Sequence, residues 1–95
     1  MDFAALVGPQ SDDLALSKNR ISPFHGTGLE AMLHGLGTQT VEIAGVATDL
    51  AVQSAARDAH DRDFLVSVAA DCCAAASDED HARAISNLAK FAAIL

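Results

Sequence analysis

Apolar positions along the chain change period several times, and each change marks an element. A short aliphatic run at Leu14 to Ser17 is a weak strand candidate, followed by a loop carrying Ser22-Pro23 and Gly26-Thr27-Gly28. Leu29, Met32, Leu33 and Leu36 then recur at i, i+3, i+4 and i+7, which predicts a short amphipathic helix closed by Gly37. Thr40 to Gly45 reads as a second strand, with Val41, Ile43 and Ala44 suited to a sheet buried on both faces. After it, Thr48 or Asp49 is placed to cap a helix bearing Leu50, Val52, Ala55, Ala56 and Ala59. Alanine lets a helix approach a sheet closely, so this helix should be the most buried.

Phe64 to Ala70 is the strongest strand, ending at Asp71 before a loop of cysteine and alanine. Ser77 opens the last helix, with Asp80 three residues on in a capping-box-like place and Asp78 and Glu79 near the positive end of the dipole. Its apolar face is expected at Ala82, Ile85, Leu88, Ala89 and Ala92, with Arg83 and Lys90 in water. Strand followed by helix, three times over, predicts an α/β fold: a three-layer Rossmann-like parallel sheet built here from about three βα units, a partial domain. Residues 1–13 form a leading segment without periodicity, and residues 14–95 carry the βα units.

Ninety-five residues with 51% apolar content make one ordered globular domain at most. Domains near this size bury only about 60–65% of the unfolded chain's surface, so association is a reasonable expectation. Thirteen acidic residues outweigh six basic ones. The cations are scattered, and the aromatic residues are phenylalanines that do not alternate with Lys or Arg, so neither a phosphate footprint nor a base-stacking platform is present. No stretch is long and apolar enough for a membrane span, and no leader-like run opens the sequence, which points to a cytoplasmic chain with no membrane partner. Adjacent Cys72 and Cys73 are poorly placed to bridge each other and read as reduced, packed small hydrophobes.

The richest chemistry signal is Gly45-Val46-Ala47-Thr48-Asp49-Leu50-Ala51-Val52, where a strand turns into a helix through small and polar residues. A reactive side chain at the start of that helix would sit at position 51, and alanine supplies no thiol, hydroxyl or carboxylate. Asp49 reads as a helix cap or loop fastener rather than an acid. His25, His34, His60 and His81 lack paired ligand spacing, so no metal is assigned, and Gly26-x-Gly28 reads as a turn rather than a phosphate cradle. No cofactor is expected.

Lys18-x-Arg20-x-Ser22-x-Phe24-x-Gly26-Thr27 resembles the lysine loop of the isochorismatase-like cysteine hydrolases, a family of nicotinamidases, N-carbamoyl amide hydrolases and isochorismatases. Gly45-Val46-Ala47-Thr48-Asp49 resembles their nucleophile elbow, Ala55 to Ala59 the helix after it, and Asp71-Cys72-Cys73-Ala74 with His81 the closing strand and helix. The motifs run from residue 14 to residue 95 and imply the C-terminal half only of such a domain, with the catalytic aspartate in the other half; Asp2, Asp12 and Asp13 receive no role. The resemblance implies further that Lys18 stabilises developing charge and that Ala51 stands at the cysteine position. It also places the oxyanion-hole N–H groups at Ala47 and Ala51 and a cis peptide at Val46-Ala47.

The implied function is hydrolysis of a small amide, carbamoyl or vinyl ether substrate, with this chain alone inactive. Ala51 is either a natural replacement, the favoured account, or an inactivating substitution; vinyl ether hydrolysis by protonation needs no thiol. The alternative is a non-catalytic assembly module that oligomerises through an uncovered sheet face. Expected partners are a small-molecule substrate and either a second copy or the missing N-terminal half.

Overall fold

The computed structural model describes residues 21–95. Lys18, Arg20, the strand candidate Leu14 to Ser17 and the leading segment lie outside the described residues. Among the described residues three parallel strands, β1 (Thr40–Val46), β2 (Leu65–Ala74) and β3 (Ala93–Ile94), form one sheet in the order β1-β2-β3. Helix α1 (Leu29–Gly35) precedes β1. A single π-helical turn (Thr48–Val52) runs directly into α2 (Gln53–Asp61), and α3 (Asp78–Leu88) joins β2 to β3. The parallel sheet flanked by helices is the partial Rossmann-like arrangement that the strand-helix rhythm predicts.

Side chains alternate across the sheet. Val66 and Val68 of β2 are buried, and Val41 and Ile43, paired with them in register, are half-buried. On the opposite face Thr40, Glu42, Ala44 and Val46 are exposed, as is Leu65. Among the described residues the sheet is therefore covered on one face, and the expectation that β1 is buried on both faces is corrected. The covered face meets α2 and α3 in a core of Phe24, Val52, Ala56, Ala59, Phe64, Val66, Val68 and Leu88. Burying one such valine, leucine or phenylalanine contributes about 1.5–3 kcal/mol, which makes this cluster the main source of stability.

α2 is the most buried helix, as its alanines predict: Ala55, Ala56 and Ala59 are all buried, against none in α1. Leu50, expected in the same helix, is 55% exposed and lies in the π-helical turn, before the α-helical period begins. α3 starts where expected, with the Ser77 hydroxyl accepting the Asp80 N–H at 3.1 Å. Its buried face, however, is Ala84 and Leu88 with His81 and Ile85 half-buried, while Ala82 and Ala89 are exposed. An i, i+4 period read through apolar residues alone leaves out His81, and so turns the helix the wrong way.

β2 does not stop at Asp71. Between Ile43 and Gly45 on β1, its partner advances from Val68 to Cys73, so β2 bulges and then resumes pairing as Gly45 with Cys73 and Val46 with Ala74. Gly45 takes φ 132 at this break, a backbone region that side chains rarely enter. The Cys73 thiol closes the bulge by donating to the Ala69 carbonyl at 3.3 Å. Cys73 is half-buried, but Cys72 is exposed and not packed; both are free thiols. Past α3, Phe91 and Ala92 donate to the Leu88 carbonyl and turn the chain into β3, an element that the sequence pattern does not announce; Ala92 lies in this turn and not in the helix.

α1 is held differently. Among the described residues no Cα of α1 comes within 8 Å of a Cα in another helix or strand, and the contacts it makes there run through side chains. Leu29 and Leu33 pack against the core from outside, and the His34 ring stacks on Phe64 with centroids 5.1 Å apart. Arg62, just past α2, reaches Glu30 at 2.8 Å and Asp58 at 3.3 Å and lies 5.1 Å from the centre of the Phe24 ring. The hydrogen bond to Glu30 raises the Arg62 pKa, helped by the charges of Asp58 and Glu30 and opposed by desolvation.

Candidate active site

The end of β1, the π-helical turn and the start of α2 form the bend that the sequence marks as an elbow. The Val46-Ala47 peptide is cis. Ala47 then stands as the residue before the turn in an extended conformation, and its carbonyl accepts the N–H groups of Leu50 and Val52, each at 3.1 Å, passing over Ala51. The Val52 bond has the wide spacing of a π turn, i to i+5, which sets it apart from an α-helical start.

Two anchors hold the turn. Val52 is buried in the core. Thr48 is fully buried, the one buried polar side chain among the described residues, and its Oγ1 lies 2.8 Å from Nδ1 of His81 in the first turn of α3. Neither Thr48 nor Asp49 caps the helix. The N-cap residue is Ala47, without a side-chain cap bond, because the Thr48 hydroxyl is turned inward to His81; Asp49 is exposed, and its expected capping or fastening role is corrected.

Ala51 is half-buried and lines a cavity of about 400 Å³. Phe24, Leu29, Leu33 and Ile43 supply much of the apolar wall, and Val52 and Ala55 continue it along the helix. Among the described residues Glu42 is the only ionisable side chain that lines it. The wall therefore offers an apolar surface beside a main-chain bend and, among the described residues, carries no thiol, hydroxyl or imidazole. Such a cleft can hold a small, largely apolar molecule and present backbone N–H groups to it, and among the described residues no lining side chain is a nucleophile.

Other sequence-flagged residues lie elsewhere. Ser22 and Phe24 of the lysine loop dock on the body: the Ser22 hydroxyl bonds Asp58 of α2 and accepts the Phe24 N–H at 3.2 Å, and Phe24 is buried. Thr27 bonds the Pro23 carbonyl and accepts the Leu29 N–H at 3.2 Å, so Gly26-Thr27-Gly28 is a turn leading into α1. His60 is exposed, with its ring 5.1 Å from that of Phe91. Among the described residues no group of three or more His, Cys, Asp or Glu side chains could hold a metal ion, and no helix is long and apolar enough to cross a membrane. Pattern reading misses the Thr48-His81 pair, whose one visible signal is a histidine in phase with Ala84, Ile85 and Leu88.

Sequence and structure comparisons agree on one family. The isochorismatase domain profile matches residues 2–95. An uncharacterized isochorismatase family protein of Escherichia coli O157:H7 is 34% identical over 84 residues, covering 88% of this chain and 45% of that protein. The ureidoacrylate amidohydrolase of Methylobacterium radiotolerans is 33% identical over 93 residues, 95% of this chain and 36% of that one. Among solved structures, an isochorismatase-like hydrolase from Alkaliphilus metalliredigens superposes with a TM-score of 0.95 at 32% identity, covering 98% of this chain and 51% of that chain. The chain thus spans between about a third and a half of the length of these relatives.

The match from residue 2 corrects the resemblance drawn from motifs, which begins at residue 14 and marks a C-terminal half only. Family likeness extends over nearly the whole chain, including a leading segment whose lack of apolar period hides it from a reading by pattern.

Proposed function

The chain belongs to the isochorismatase family, and on that premise we propose that it is a hydrolase-type domain whose cleft at Ala51 receives a small amide, carbamoyl or vinyl ether substrate. The observation that carries the proposal is the position of Ala51: it lies at the start of the helix, on the wall of an apolar cavity, beside a bend whose main chain is held from both sides. In this reading the N–H groups of Ala47 and Ala51 receive the substrate oxygen, since preorganised donors keep their value in a dry site. Lys18 supplies the positive charge that steadies the same oxygen. The likeness to a ureidoacrylate amidohydrolase supports a carbamoyl or amide group as the part recognised.

Without a thiol at position 51 no acyl-enzyme can form there, so the chain binds such carbonyl compounds without turning amides over. Protonation of a vinyl ether remains chemically open, because that route needs a proton donor and no nucleophile. The test is an assay on nicotinamide and N-carbamoyl amides. No amidase turnover is expected, and rates near the enzyme median of about 10 per second would overturn the reading.

A second reading is favoured by one observation: Val46 and Leu65 on the open sheet face are 73% and 68% exposed, and Leu95 beyond it is 64% exposed. Parallel sheets are ordinarily covered on both faces, so a second copy of the chain lying on this one would make it an assembly module. Light scattering that shows a stable monomer at high concentration removes this reading.

A further inference from the structure

We propose that Thr48 and His81 are a positioning pair, which fixes the bend carrying the Ala47 and Ala51 amides against the first turn of α3. The proposal deepens the carbonyl-binding reading of the Ala51 cleft and rests on it. Three features carry it: burial, geometry and place in the fold. Thr48 is fully buried, and a buried hydroxyl without a partner is costly, so its bond is obligatory rather than incidental. The partner is 33 residues away in sequence, and the distance of 2.8 Å is that of a well-formed hydrogen bond. His81 occupies a position that the period of α3 would otherwise give to an apolar residue, in phase with Ala84, Ile85 and Leu88. A polar ring on that face is explained by the hydroxyl that it meets.

The bond joins two elements that pack closely but share no main-chain hydrogen bond among the described residues. Ser77 starts α3 through its own cap, and Val52 holds the far end of the π turn in the core. Between Ala47 and Val52 the inward anchor is Thr48, so the orientation of the near end follows from its hydroxyl. The pair is complementary when the Thr48 O–H donates and His81 Nδ1 accepts, which leaves the ring proton on Nε2. Neither residue lines the cleft, so neither is catalytic; both act through the backbone of the turn.

The test gives the cleft a reporter. In an Ala51→Cys chain, the pH midpoint of iodoacetamide alkylation at position 51 is measured with Cys72 of the same molecule as reference. The midpoint at position 51 is expected to lie roughly one pH unit below that of Cys72, because oriented amides at a helix start favour the thiolate. Adding Thr48→Val, which keeps the shape and the charge and removes the hydroxyl, is expected to move that midpoint most of the way to the Cys72 value, while Thr48→Ser leaves it in place. A purely structural role would not separate these two variants so long as both remain folded. An unmoved midpoint in folded Thr48→Val overturns the proposal.

Failure of the carbonyl-binding reading is seen separately, as a midpoint at position 51 equal to that of Cys72 before any change at Thr48. In that case amide hydrogen exchange in the chain with Ala51 intact decides the pair. Exchange at Ala47 and Ala51 roughly tenfold faster in Thr48→Val than in Thr48→Ser, with Val68 unchanged, upholds it, and equal rates in the two variants overturn it.

Discussion

α1 and α2 both pack toward the core of the sheet, and they are attached in opposite ways. α2 sets three alanines into the core and brings its backbone close to β2, whereas α1 has no buried residue and touches the body through Leu29, Leu33, His34 and Glu30. Small side chains trade contact area per residue for proximity of the whole helix; large ones reach across a gap and leave the helix loosely held. The difference divides the cleft. Its Ala51 and Phe24 side belongs to the tightly packed part, and its Leu29-Leu33 side leads into the loosely held one.

The comparison can be broken most strongly at Leu88, which is fully buried in the core that α2 shares. Leu88→Ala should cost about 2–5 kcal/mol in urea unfolding, as expected for a leucine removed from a packed core. Ala56→Leu asks whether proximity matters in itself: Ala56 has no exposed surface, and overpacking there should cost about 1–3 kcal/mol. A cost near zero would mean that α2 is no closer to the sheet than α1. Leu33→Ala on α1 should cost about 1 kcal/mol, since only part of that side chain leaves water. Smallest of all is Arg62→Met, which should leave the unfolding midpoint nearly unchanged and speed amide exchange in α1 alone, because the ion pair with Glu30 is solvent-accessible and α1 is a short helix held from outside. Exchange rising equally in α2 would show that the two helices open as one unit.

These elements were unequally legible in the sequence, for physical reasons. The alanine run of α2 and the Ser77 cap of α3 are local signals, and local signals survive folding. The phase of α3 was not legible, because His81 counts as polar until its partner Thr48 is known, and that partner is a tertiary fact. The continuation of β2 through Cys72 and Cys73 depends on a register break against Gly45, which no single strand can announce. β3 spans Ala93–Ile94 and is too short to show a period. At the candidate site, Ala51 could be placed from the strand-to-helix bend alone. The π-helical start and the inward turn of Thr48 could not, since capping preference at Thr48 and Asp49 pointed to an ordinary helix.

One measurement reaches the central claim, that a main-chain bend and Lys18 together form a carbonyl-binding site without a nucleophile. The unaltered chain, labelled with ¹⁵N, is titrated with benzoate, whose carboxylate resembles an amide-hydrolysis product and whose ring suits an apolar wall. The account predicts that the Ala47 and Ala51 amide signals and the Lys18 ammonium signal shift together along one saturable binding curve. Shifts that leave Ala47 and Ala51 in place, or that move them without Lys18, would contradict it.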